Sequence, residues 1–229
     1  WAALYESISG KLDEIYSELI DIRLKIAENL GFSGYEEMVF LQNKRYTYTP
    51  DDVALFREQI LRYVVPLCRT LFEKQKERLG IETLYYYDES LIYPEGNAVP
   101  KGSKDEMLAQ AGKMYRELSD ETGIFFDCML QYGLFDLETK PGKQQGGYCT
   151  ILPEYKAPFI FSNFNGTDAD VEVLTHEAGH AFQAFEASRK ISLSEQVFSS
   201  EEVDEIPSMT MELFTYPWME LFFGDQAEK

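Results

Sequence analysis

The sequence predicts a mostly helical fold with a small β-sheet, of the α+β class. Apolar residues recur every three or four positions over long stretches that begin at capping residues and end at glycines. The segments predicted as strands are few and short, and all of them follow residue 80. No internal repeat or low-complexity linker divides the chain. We therefore expect a single domain over 1–229, with a helical part at 1–80 and the sheet with further helices at 81–229.

The first predicted helix covers about the first thirty residues. Its apolar positions follow helical spacing at Leu4, Ile8, Leu12, Ile15, Leu19, Ile22 and Ile26. Gly31 is expected to end this helix, because glycine readily takes the left-handed conformation that follows a helix. Ser33 then begins a shorter helix that runs through Phe40.

Thr49 marks the start of a third helix, with Pro50 at its first position and acids in its first turn. This helix runs towards Gly80, and we expect Pro66 to kink it because proline has no backbone N–H. Residues 83–87, which include three consecutive tyrosines, are predicted to form a strand.

The middle of the chain alternates loops with helices. Residues 93–102 hold two prolines and two glycines and predict a loop. Ser103 opens a capping box for the next helix, and a further helix at about 119–131 stops at Gly133. Residues 137–147 are expected to be an irregular, exposed connection.

Two further strands are predicted at about 148–152 and 159–163, just before the segment His176-Glu177-Ala178-Gly179-His180. Thr167 is the expected N-cap of the helix that carries this segment. The two histidines are the only ones in the chain. On a helix they lie one turn apart on the same face, where both can bind one metal ion, and Glu177 can act as a base on bound water.

This helix is expected to have a packing face opposite its chemical face. Apolar residues occupy one sector of the helical wheel, at Val171, Leu174, Ala178, Ala181, Phe182 and Phe185. Gly179 lies outside that sector. Because a glycine within a helix costs about 1 kcal/mol relative to alanine, we expect it to permit the close approach of another backbone.

Catalytic zinc takes three protein ligands, and no third histidine exists, so a carboxylate or a cysteine must complete the site. The acidic segment at 201–205 begins the next predicted helix, and spacing alone allows Glu201, Glu202 or Glu205. These acids are equally interpretable as surface residues that favour the positive end of the helix dipole. Glu212 shares a face with Glu205 and is either an exposed acid or a hydrogen-bond partner of a ligand histidine.

The amino-acid composition limits the binding partners and the cellular compartment that we expect for this protein. The net charge of −19 argues against nucleic acid and anionic membranes, because phosphate groups would be repelled. The three cysteines are far apart and odd in number, which indicates a reducing, cytoplasmic location. No apolar run approaches membrane-spanning length, and no signal-peptide pattern is present at the N-terminus.

Several segments together resemble the M3 oligopeptidases, most closely the oligoendopeptidase F and Pz-peptidase branch. The resemblance lies in segments 46–53, 56–57, 146–150, 158–167, 176–183 and 204–212. It implies a zincin-type catalytic domain in which His176, His180 and Glu205 hold one Zn²⁺ ion and Glu177 is the general base. It further implies that short peptides are the substrates.

The resemblance also implies that the strand near 159–163 either pairs with the substrate backbone or is an ordinary member of the sheet. Pro207 stands where some close relatives have a histidine, so any role of that histidine is absent here. Members of the family are several hundred residues long, and we expect this chain to be an internal fragment of a longer protein.

Three alternatives to a peptidase stay open. The chain is interpretable as a metal-binding fragment without peptide turnover, or as a zinc hydrolase of another class, since the ligand set alone does not select the amide bond. In the third alternative, the histidine-bearing segment is a plain structural helix in an interaction module. The oligomeric state and the side-chain preference are not predicted.

Overall fold

The structure is a computed structural model that describes residues 2–229. These residues form nine α-helices and a three-stranded sheet, which confirms the predicted fold class. The helices are α1 (Ala2–Asn29), α2 (Tyr35–Gln42), α3 (Pro50–Gln59), α4 (Val65–Leu79), α5 (Lys104–Leu118), α6 (Asp120–Tyr132), α7 (Ala169–Lys190), α8 (Glu201–Thr215) and α9 (Met219–Phe223). The strands are β1 (Phe135–Glu138), β2 (Tyr148–Leu152) and β3 (Ala157–Phe164).

The chain divides into two compact units, Trp1–Arg62 and Tyr63–Lys229. The expectation of a single domain, with a helical part that ends at residue 80, stays a prediction. No helix within residues 2–229 combines the length and the apolar character needed to cross a membrane.

The first unit contains α1, α2 and α3. Gly31 has a φ of 84° and follows α1, as predicted. Helix α2 begins at Tyr35, two residues later than expected, and the hydroxyl of Ser33 donates a hydrogen bond of 2.7 Å to the carboxylate of Glu37. The predicted cap at Thr49 is present, because its side chain accepts from the N–H of Asp52.

The long helix predicted to follow Thr49 is interrupted before its proline. Helix α3 ends at Gln59, a single π-helical segment covers Ile60–Val64, and α4 then continues to Leu79. Pro66 lies in the first turn of α4, where its missing N–H and its ring disturb the hydrogen bonds of the preceding turn. Gly80 ends the helix in the left-handed conformation, so the predicted helix end is confirmed, and the π-helical segment is the irregularity that precedes Pro66.

The strand predicted at 83–87 is wrong, since residues 83–85 have no regular secondary structure and residues 86–90 form a turn. Two local hydrogen bonds close the turn: the N–H of Tyr85 donates to the carboxylate of Asp88 at 3.0 Å, and the N–H of Asp88 donates to the Tyr85 carbonyl at 2.8 Å. The buried amide of Gln75 donates to the carbonyls of Glu89 and Leu91. These two carbonyls therefore bind a side chain and not a neighbouring strand. Aromatic residues favour a strand only where another strand is available to pair with it.

The sheet has the order β1-β3-β2, in which β1 runs parallel and β2 antiparallel to β3. Strands β2 and β3 were predicted, whereas β1 was missed and its last residues were assigned to an irregular connection. Since β3 has a strand on each side, it has no free edge for a substrate. The interpretation of 159–163 as an ordinary sheet member is therefore the correct one, and the substrate-pairing interpretation is wrong.

The core of the second unit lies between the sheet and helices α5, α6, α7 and α9. Its largest fully buried side chains are those of Tyr115, Phe125, Phe126, Phe222, Met114, Met129, Leu137, Ile160 and Leu174. Helix α7 packs on α8 and on strands β2 and β3. This packing buries the predicted apolar face of α7, apart from Phe182, which is half-buried.

Candidate metal centre

Helix α7 carries both histidines, and their ring centroids lie 4.9 Å apart. The helix start differs from the prediction, because Thr167 does not cap it and the N-cap position falls on Asp168. The Thr167 hydroxyl instead donates to the side chain of Asn165. The buried carboxylate of Asp170 accepts hydrogen bonds from the backbone N–H groups of Asn165 and Gly166, so it fixes the turn that leads from β3 into α7.

Helices α7 and α8 approach each other most closely at Gly179. A Cβ atom added at this position would lie 2.5 Å from the Cα of Ser208 and 2.6 Å from the carbonyl oxygen of Pro207. The predicted close backbone approach is therefore confirmed. It brings the acidic side chains of α8 against the face of α7 that carries the histidines.

Three side chains converge at this contact. An oxygen of Glu205 lies 3.3 Å from Nε2 of His176 and 3.5 Å from Nε2 of His180. All three potential ligand atoms lie within 4.8 Å of one another, and no comparable group occurs elsewhere in residues 2–229. Of the three acids that spacing allowed, the fold brings only Glu205 to this point. The three side chains line an open cleft, and Glu201 also lines this cleft but does not belong to the group of potential ligands.

Glu212 approaches the far side of His176, with its Oε1 2.6 Å from Nδ1. A carboxylate in this position accepts a hydrogen bond from an Nδ1–H, and the tautomer that has this proton offers the lone pair of Nε2 to a metal ion. The hydrogen bond considered from the sequence is thus present. Burial lowers the pKa of His180, which favours the neutral imidazole that binds metal ions.

Glu177 is 7% exposed and points into the same cleft, which has a volume of about 460 Å³. Its Oε2 atom is buried and has no hydrogen-bond partner within the described part of the chain. Burial raises the pKa of Glu177, the neighbouring His176 opposes that shift, and Glu205 adds to it. A buried carboxylate oxygen without a partner is costly, so this atom fits a site that binds water or a polar ligand.

The donor set fits a zinc ion. Two imidazole nitrogens and one carboxylate oxygen are a ligand combination typical of catalytic zinc, with bonds of about 2.0–2.2 Å. Tetrahedral geometry places such donor atoms roughly 3.3–3.6 Å apart. Glu205 lies at this separation from both histidines, at 3.3 and 3.5 Å, and the three donor atoms together lie within 4.8 Å of one another.

The family model of peptidase family M3 matches residues 1–227. The chain belongs to peptidase family M3. Among solved structures, this M3 chain resembles a Bacillus anthracis str. Ames protein named as an oligoendopeptidase F, at 47% identity and a TM-score of 0.94. That match covers 100% of this chain and 42% of the other. A structure of Pz peptidase A with an inhibitor matches at 47% identity and a TM-score of 0.95, covering 99% of this chain and 40% of the other.

A Chlamydophila abortus protein named as a peptidase shares the fold of this M3 chain, at 19% identity and a TM-score of 0.64, over 94% of this chain and 35% of the other. No curated protein matches the chain. The M3 chain thus spans about two-fifths of the length of the solved relatives that share 47% of its residues.

The structure also brings to the centre three residues that sequence reasoning assigned to no site. The backbone of Gly147 and the residues Tyr148 and Cys149 line the same cleft as Glu177. Burial, together with the charge of Glu177, raises the pKa of the Cys149 thiol to about 12. The available signal was the glycine pair at 146–147 directly before a strand, where a small residue permits the close approach of another group.

Proposed function

We propose that this chain carries the catalytic centre of a zinc metallopeptidase that hydrolyses short peptides. His176, His180 and Glu205 hold one Zn²⁺ ion, and Glu177 is the general base. The observation that carries the proposal is the convergence of the three donor atoms beside the unpartnered Oε2 of Glu177. Membership of peptidase family M3 supports the amide bond as the target.

When bound, zinc lowers the pKa of a coordinated water to about 7 and polarises the scissile carbonyl group. Glu177 accepts a proton from the attacking water and then delivers it to the leaving amine. Burial raises the pKa of Glu177, and a more basic carboxylate accepts a proton more readily. Glu212 holds His176 in the tautomer that leaves Nε2 free.

We propose that the peptide substrate binds along the edge of β2 that faces away from β3. Strand β2 pairs only with β3 among the described residues, so its other edge offers unpaired backbone groups beside the cleft. An extended peptide can add to such an edge as a further strand. The preference for short peptides rests on the similarity to proteins named oligoendopeptidase F and Pz peptidase. The three free cysteines support a cytoplasmic location.

A second candidate function is a metal-binding segment that does not turn over peptide by itself. The observation that favours it is coverage, since the chain spans 40–42% of its 47%-identical relatives. A fluorogenic peptide assay separates the two candidates, with the 229-residue chain and the full-length natural protein run side by side. Turnover that chelation abolishes and zinc restores is expected for the full-length protein.

Glu177→Gln tests the proposed base. We expect peptide hydrolysis to fall by several orders of magnitude while bound zinc, measured by atomic absorption, stays at about one ion per chain. Glutamine has almost the same volume but cannot accept the proton. Loss of zinc in this variant would contradict the separation between base and ligands.

Glu205→Ala tests the third ligand, and Glu201→Ala is its matched control in the same helix and cleft. We expect zinc affinity, measured by competition with a chromogenic chelator, to fall far more for Glu205→Ala. Only the Glu205 carboxylate reaches both histidines. Equal losses in the two variants would remove Glu205 from the site.

A further inference from the structure

Lys143 lies in the connection between β1 and β2, at residues 139–147, and its ammonium group is enclosed by groups of β1 and β3. Its side chain is 7% exposed. It donates to the backbone carbonyls of Asp136 at 2.9 Å, Glu138 at 2.8 Å and Ser162 at 2.6 Å. An ammonium group has three donors, so the backbone occupies all of them. The buried Lys143 side chain is therefore fixed in place by these hydrogen bonds.

The three carbonyls belong to two neighbouring strands. The pairing of β1 with β3 shifts register between Asp136 and Glu138, which disturbs the regular ladder at this point. Lys143 binds carbonyls of both strands there, and its charge is balanced by the Asp136 carboxylate at 3.1 Å. The ring of Phe161 faces the ammonium group at 4.4 Å. The connection is therefore tied to β1 and β3 together.

Asn163, the residue directly after Ser162, holds the same connection. Its side-chain amide donates to the carbonyls of Gln144 at 2.8 Å and Gly146 at 2.9 Å. Gly146 has a φ of 102°, which favours glycine, and turns the chain into β2. The backbone from residue 143 to residue 146 is thus held by side-chain hydrogen bonds on both sides of the turn.

Residues 143–146 lead directly to Gly147, which lines the cleft that contains Glu177. A Cβ atom at Gly147 would lie 3.6 Å from Oε1 of Glu177 and 3.3 Å from Cγ1 of Val173. Gly147 and Tyr148 both line the cleft that contains Glu177. A displacement of the connection would therefore move the start of β2 relative to the proposed base.

We propose that Lys143 and Asn163 are positioning residues that fix the start of edge strand β2 beside Glu177, where it receives the substrate backbone. The inference rests on the proposed function. Neither side chain touches the peptide; both act through the backbone of Gly147 and Tyr148. Pairing with an edge strand is present in the bound substrate as well as in the transition state, so its loss raises KM more than it lowers kcat.

Lys143→Met in the full-length natural protein is the test, and Lys140→Met is its matched control. Both lysines pair with the carboxylate of Asp136, and both changes remove one positive charge from the same connection. The side chain of Lys140 is 56% exposed, and it binds this carboxylate at 3.2 Å at the surface. We expect KM for a fluorogenic peptide to rise about tenfold for Lys143→Met, and kcat and KM to stay within about twofold for Lys140→Met.

Two further variants separate positioning from general stability. Asn163→Asp keeps the volume but replaces the donor amide with a group that cannot donate, and we expect KM to rise about threefold to fivefold. Arg189→Met removes hydrogen bonds to the carbonyls of Lys156 and Phe185 at the other end of the β2–β3 hairpin. It is expected to lower the melting temperature without raising KM.

The outcomes decide between a positioning role and a structural one. Unchanged KM in Lys143→Met and Asn163→Asp, with only a lower melting temperature, would overturn the inference. A similar rise of KM in Arg189→Met would also overturn it. If Lys143→Met does not fold, Asn163→Asp decides by itself. If wild-type protein binds zinc tightly but the variants lose zinc, the positioning role is wrong while the metal centre stands. If the wild-type protein shows no zinc-dependent turnover, the proposed function is wrong, and the positioning role falls with it.

Discussion

Helices α1 and α7 are both long and show apolar residues at helical spacing, yet they are buried to very different extents. Helix α1 has 28 residues, of which only Ala27 is buried, and its large apolar side chains are 40–62% exposed. Helix α7 has 22 residues, of which eleven are buried. Helical periodicity therefore predicts a helix but does not predict which elements cover its apolar face.

The difference has an identifiable physical cause. Helix α7 has the sheet on one side and α8 on another, and Gly179 lets the backbone of α8 approach to contact distance. Within its own unit α1 packs against the eight-residue helix α2, which is too short to cover it. In α1, Gly10 has no atom within 4 Å of the position that a Cβ would take. Close packing therefore surrounds the candidate site and not the first helix.

Gly179→Val should have the largest effect. The added side chain would overlap the backbone at Pro207 and Ser208, and backbone atoms cannot rotate away. We expect a loss of more than about 4 kcal/mol in the free energy of unfolding, together with loss of zinc binding. Urea denaturation and zinc titration measure the two effects. Wild-type stability would mean that α8 can move away from α7 at little cost.

Two leucine substitutions test whether the apolar face of α7 contributes more to stability than that of α1. Leu174→Ala in α7 is expected to cost about 3 kcal/mol, because the side chain is fully buried and its removal leaves a cavity. Leu12→Ala in α1 is expected to cost less than about 0.5 kcal/mol, since Leu12 is exposed. Chemical denaturation of the 229-residue chain measures both. A large loss at Leu12 would reveal that a partner covers this face in solution.

Glu212→Ala tests whether the surroundings of α7 also tune the metal site. Removal of the hydrogen bond to His176 is expected to weaken zinc binding about 10-fold to 100-fold, or roughly 1.4–2.7 kcal/mol. Chelator competition gives this value. Glu220→Ala, which removes an exposed carboxylate from α9, is the control and should leave zinc affinity unchanged. Equal zinc affinity in both variants would show that Glu212 does not strengthen zinc binding through His176.

Gly10→Ala should have the smallest effect, and of the opposite sign. The site in α1 is open, and alanine favours a helix over glycine, so stability should rise by about 0.5–1 kcal/mol. A thermal melt of the 229-residue chain checks this increase. Destabilisation would indicate that another surface lies against α1 at Gly10.

Features that depend on neighbouring residues were predictable. The capping box at Ser103, the helix end at Gly133 and the close approach at Gly179 all match the structure. The start of α7 was misplaced at Thr167, because the buried carboxylate of Asp170 organises that turn. Strand β1 was missed because it is only four residues long and owes its assignment to pairing with β3.

The sequence by itself determined the helical character of the chain, most helix ends and the one-turn separation of His176 and His180. These properties depend on dihedral preferences and on hydrogen bonds between residues a few positions apart. Spacing left Glu201, Glu202 and Glu205 equivalent, and the convergence of Glu205 with the histidines, which the family resemblance implies, follows from the packing of α8 on α7. The interior position of β3 and the enclosure of Lys143 are visible only in the folded chain. These outcomes depend on packing between segments distant along the chain, where one helix crossing or one strand partner selects among positions that are equivalent in spacing.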